Sequence, residues 1–89
     1  MNTAAKGMSV DEVRRMARDL ADAAEEIEQM RTELTTGLEE VDWTGPDADR
    51  FRGQWADEMA PALEDLSTAI AALSTTAETN AQEQESTSA

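Results

Sequence analysis

The chain predicts an all-α fold: an antiparallel two-helix hairpin that dimerises into a four-helix bundle. Three observations point to it. Two long segments repeat apolar residues at steps of three and four. A helix stop and a helix start stand back to back between them at Trp43-Thr44-Gly45-Pro46. The two apolar stripes are also too long for one hairpin to cover, so a second hairpin is expected to shield the rest.

Residues 1–8, with Gly7 and no apolar period, read as a flexible arm. The helical hairpin is expected over residues 9–78. Ser9-Val10-Asp11-Glu12 has the spacing of a capping box, in which serine and glutamate side chains reciprocally satisfy free backbone N–H groups. From there a helix over about 9–41 carries Val13, Ala17, Leu20, Ala24, Ile27, Leu34, Leu38 and Val41 in a heptad seam whose one polar step is Arg31. A strand is excluded, because the pattern never alternates with period two.

The turn occupies residues 42–45. Gly45 tolerates the positive φ of a tight reversal, and Pro46 suits the first helical position, where no N–H partner is needed. Asp47 and Asp49 then bring negative charge to the first turn of the second helix, expected over about 46–77. That helix presents Ala48, Phe51, Trp55, Met59, Ala62, Leu66, Ile70 and Leu73 as its inward stripe. Pro61 removes the N–H that would reach the carbonyl of Asp57, so a kink or local break is expected near it. Beyond residue 78 the sequence is polar, and 79–89 read as a disordered acidic tail. Helices of about 30 residues make a rod about 45 Å long.

Composition narrows the function. The chain has 20 acidic and 7 basic residues, a formal charge of -13, and neither cysteine nor histidine. That field repels nucleic acid and anionic lipid, and no apolar run approaches the roughly 20 residues that cross a bilayer. Neither nucleic acid nor membrane insertion is expected. Without histidine or cysteine the commonest catalytic base and soft-metal ligands are missing, so the chain reads as a non-enzyme with no cofactor. Asp47-Ala48-Asp49 lacks the glycine and terminal glutamate of a calcium loop and reads as a helix start. Adjacent acid pairs such as Glu39-Glu40 point about 100° apart on a helix and do not form an acid–base dyad. The three aromatics, Trp43, Phe51 and Trp55, cluster at the elbow, where Trp43 and Phe51 are expected to staple the hairpin shut.

A Trp-x-Gly turn, here Trp43 and Gly45, between two amphipathic helices in an acidic, cysteine-free chain of 89 residues resembles the WXG-hundred family of early-secreted-antigen-like proteins. The resemblance spans residues 9 to about 75. It implies a helical hairpin paired as a homodimer, or as a heterodimer with a paralogous hairpin, and exported through a type VII secretion system driven by a membrane ATPase. The start has no charged segment followed by an apolar one, so export independent of a signal peptide is expected, with a cytoplasmic stage before it. The family's export signal is an aromatic residue followed four positions on by an acid, beyond the second helix. This chain has no aromatic after Trp55. Either a partner chain supplies that signal, or the protein is a cytosolic helical adaptor or targeting partner of a larger secreted toxin.

Overall fold

Ser9 opens the first helix through the expected capping box. The Glu12 amide donates to Ser9 Oγ at 3.2 Å, and the Ser9 amide donates to the Glu12 carboxylate at 3.2 Å. In the computed structural model, which describes residues 9–88, helix α1 spans Val10–Glu40. The chain reverses through Val41–Gly45, and Gly45 sits at φ 117°, a conformation that favours glycine. No heavy atom lies near the Cβ that another residue would add there, so the demand for glycine comes from the backbone and not from crowding. The returning arm consists of α2 (Pro46–Gln54), a π-helical turn (Trp55–Met59) and α3 (Ala60–Ser88). The expected arm over residues 1–8 lies outside the described residues.

The break expected at Pro61 is instead this single wide turn. The Ala60 amide donates to the Trp55 carbonyl five residues back, and the helix then continues through Pro61. The turn has a large consequence for packing. An α-helical residue advances about 100°, so one extra residue in a turn shifts the inward series by one position. The expected stripe of Met59, Ala62, Leu66 and Leu73 is rotated out to solvent. Ala60, Leu63, Ser67, Ile70, Ser74, Ala77 and Ala81 face α1 in its place, buried or half-buried. Ile70, expected inside, does face inward.

The polar tail is also different from the expectation: α3 runs to Ser88. Its last turns are held from across the hairpin. Ala77 and Ala81 pack with Val13 and Ala17 in a buried cluster, and Val10 lies against it. Arg14 makes a bidentate pair with Glu85 at 2.8 and 3.1 Å and reaches Glu78 at 3.4 Å. With the returning arm continuing to Ser88, the hairpin is a rod of 64 × 19 × 17 Å, longer than the about 45 Å expected from helices of about 30 residues.

Candidate interaction surface

The seam between the arms is made of small side chains. Ala17, Ala24, Ala77 and Ala81 are buried, as are Val13 and Ser67, and among the described residues no large side chain is fully enclosed. Small residues let the two backbones approach. Ser74 Oγ donates across the gap to the Ala17 carbonyl at 2.7 Å. At the elbow end the seam closes on Ala48 and on Trp55, which is 8% exposed. The Trp55 indole N–H donates to Thr35 Oγ1 at 2.9 Å, and that hydroxyl donates to the Arg31 carbonyl at 2.8 Å.

Arg52 joins the elbow together. The last carbonyls of a helix have no partner inside it, and the last turn of α1 carries no basic residue of its own. Arg52, from the returning arm, donates to the carbonyls of Leu38 at 3.0 Å, Val41 at 3.2 Å and Trp43 at 2.8 Å. Its positive charge also suits the negative end of the α1 dipole. The guanidinium lies 5.9 Å from the centre of the Trp43 ring, which tilts against Phe51 at 5.7 Å between centroids. The aromatic staple therefore exists, but its two rings stay 39% and 45% exposed and add little enclosed core.

The two sides of the seam differ sharply. On one side a shallow groove is lined by Arg18, Ala21, Ser74, Thr75 and Glu78, with Glu25, Glu28 and Ala71 further along. On the other side stand the large apolar residues. Met16, Met30 and Leu34 of α1 and Val41 just past its end are exposed, as are Met59, Leu66 and Leu73 of the returning arm, from 39% at Met16 to 58% at Leu73. Counting 100° per residue from Ala17 puts Met16, Met30 and Leu34 on the flank opposite Arg18, and counting from Ser74 puts Leu66 and Leu73 on the flank opposite Thr75, so these residues share one open face. Leu20, Ile27 and Leu38 lie half-buried between this face and the seam, and Leu63 and Ile70 do so from the other arm.

Of the residues expected to form core or interface, the structure thus brings Val13, Ala17, Ala24 and Trp55 into the hairpin seam. It leaves Leu34, Val41, Phe51, Met59, Leu66 and Leu73 outside it. Leu34 leaves the seam because it passes through Arg31 and Thr35, which are half-buried, and Val41 because it lies past the end of α1 in the reversal. Sequence reading missed Ser67, Ser74, Ala77 and Ala81. Three of these, Ser67, Ser74 and Ala81, continue a seven-residue spacing that begins at Ala60, a pattern carried by small side chains without large apolar residues to mark it. Arg52 and the Arg14–Glu85 pair carry no local mark.

Ion pairs are few. Arg31 holds Glu28 at 2.6 Å and stands 4.0 Å from Glu64, and Arg50 pairs with Asp47 at 3.1 Å. Arg31 is the main cause that keeps the Glu28 carboxyl below its ordinary range, with a smaller contribution from the Ser67 hydroxyl. Arg14 lowers Glu85 in the same way. Among the described residues no acidic cluster is suited to a metal, and no helix is long and apolar enough to cross a membrane. Neither the curated proteins nor the solved structures contain a match to this chain. Residues 7–88, nearly the whole chain, match the model of the WXG100 family, proteins of 100 residues with WXG, and the chain belongs to that family.

Proposed function

We propose that this protein is a type VII secretion substrate or co-substrate, and that it acts by pairing through its open face with a second helical hairpin to complete a four-helix bundle. One observation supports this above the others: Leu34, Leu66 and Leu73, among the largest apolar side chains of the protein, stand outside a hairpin whose seam is mostly alanine and serine. A contiguous apolar face of this kind marks a protein–protein contact. The bundle forms in the cytoplasm and leaves the cell folded, recognised by the secretion ATPase. Leu34→Asp or Leu66→Asp should return the assembly to single hairpins by sedimentation while the far-ultraviolet circular dichroism keeps its helical signal. The protein should also vanish from culture medium when the secretion ATPase is deleted. An assembly unchanged by both substitutions removes the open face from the interface, and a protein confined to the lysate of an intact strain ends the export reading.

A second reading is favoured by a single feature of the sequence. Residues 56–89 contain no aromatic, so they do not hold the family's aromatic-and-acid export signal. In that reading the hairpin is a helical adaptor or targeting partner of a larger secreted toxin. A toxin gene beside this one, and co-purification of the two products, favours it over co-secretion with a paralogous hairpin.

A further inference from the structure

The borders of the open face are chemically one-sided. Val13, Leu20, Ile27 and Leu34 recur every seven residues along the flank of α1 that turns toward this face, and Val41 follows at the same spacing just past the helix end. The residue just before each of them is an acid in every repeat: Glu12, Asp19, Glu26, Glu33 and Glu40, all exposed. On the returning arm Glu58 and Asp65 precede Met59 and Leu66 in the same manner and are exposed as well. A position next to an apolar heptad seam is where helices of a bundle exchange charge contacts, and those contacts set partner choice.

The cations do not balance these borders. Arg14 is engaged by Glu78 and Glu85, Arg31 by Glu28 and Glu64, and Arg50 by Asp47. Arg52 is spent on the α1 carbonyls, and Arg18 lines the opposite groove. Among the described residues Arg15 alone stands beside the acidic border, one turn from Glu12 and Asp19 at its far end. Two copies meeting through this face would therefore set acid against acid along its length.

We propose that the open face is built for a different chain: a helical hairpin with a matching apolar seam whose borders carry lysine or arginine, with self-pairing disfavoured by the acidic stripe. This rests on the open face being the pairing surface, as argued above. Opposite border charges steer the correct encounter, and like charges exclude the wrong one.

The test needs only this protein and a charge-inverted copy carrying Asp19→Lys, Glu26→Lys, Glu33→Lys and Glu40→Lys; Glu12 is left alone because it closes the capping box. In about 20 mM salt, where screening is weak, the wild-type chain should bind the inverted copy at least about tenfold more tightly than it binds itself, and the two affinities should converge near about 500 mM. If wild-type self-association at low salt equals the mixed association, the proposal is overturned. Leu34→Asp in both members separates the two layers. Associations that survive it show that the open face is not the pairing surface. Associations that it abolishes, but that show no preference for the inverted copy at low salt, overturn the charge inference alone. Should the four-lysine chain lose its helical signal, Glu26→Lys with Glu33→Lys provides the same ranking with half the change.

Discussion

Along the seam the hairpin encloses alanine and serine, whereas its open face displays leucine and methionine. Ala17 is 2% exposed and Ala81 0%, while Leu73 is 58% exposed and Met59 54%. Globular proteins ordinarily bury their large apolar side chains first. The inversion means that the seam sets geometry, through close backbone approach and the Ser74 to Ala17 hydrogen bond, whereas a large apolar surface remains uncovered on the open face. Covering that face with a partner uses the stronger apolar set, at about 25 cal/mol for each square ångström removed from water.

The sharpest way to break this contrast is at Trp55, the buried aromatic of the seam. Trp55→Ala should cost the hairpin about 3–5 kcal/mol, as removal of a buried indole does, and strands the Thr35 hydroxyl's acceptor site. Trp43→Ala, at an exposed ring, should cost well under half of that, in the range of an aromatic pair at about 0.5–1.5 kcal/mol. Urea midpoints of the two variants test this, and equal losses would mean that the elbow staple, not the seam, secures the turn.

Next in size is a pair of opposite changes. Ala17→Leu overpacks a seam without room and should cost about 1–3 kcal/mol, the same at every protein concentration. Leu73→Ser should leave a dilute hairpin within about 0.5 kcal/mol of the parent, yet lower the melting temperature of concentrated samples, because only the assembled state covers Leu73. A concentration-dependent loss for Ala17→Leu, or a concentration-independent one for Leu73→Ser, would merge the two faces into one role.

The smallest effect concerns the end of α3. The Glu85 carboxyl is lowered from its ordinary value of 4.5, chiefly by its hydrogen bonds from Arg14. A carboxyl lowered on folding stabilises fully above its unfolded value and loses that contribution as pH falls through the lower folded one. Amide protection over Ala81–Thr87 should therefore decline below about pH 4.5, and Glu85→Gln should remove that local dependence. The carboxylate is exposed, so fraying of the last turns is expected and global unfolding is not. Protection that falls equally in the Gln variant would show that the pair does not hold the helix end.

Much of this architecture is readable from residues. Ser9 and Glu12 mark the start of α1, Gly45 and Pro46 mark the reversal, and the threes and fours of α1 mark a helix with apolar residues to bury. The face assignment on the returning arm is not readable by the same rule. A periodic reading assumes a constant 100° step, and the π-helical turn at Trp55–Met59 inserts a residue that alters the phase of everything after it. Pro61 signals a disturbance but not its form, since a kink, a break and a wide turn all dispose of the missing N–H.

By itself, then, the sequence determined the helices, the elbow and an excess of apolar residues over what two helices can hide, because each follows from local conformational preference and spacing. Tertiary structure decided which residues the hairpin hides, that the polar segment after residue 78 remains helical, and that an arginine from one arm caps the other. Those outcomes depend on partners far away along the chain: Arg14 meets Glu85 across 71 residues, and Arg52 meets Leu38 across 14. No local pattern encodes such pairings, because they exist only once the two arms lie side by side.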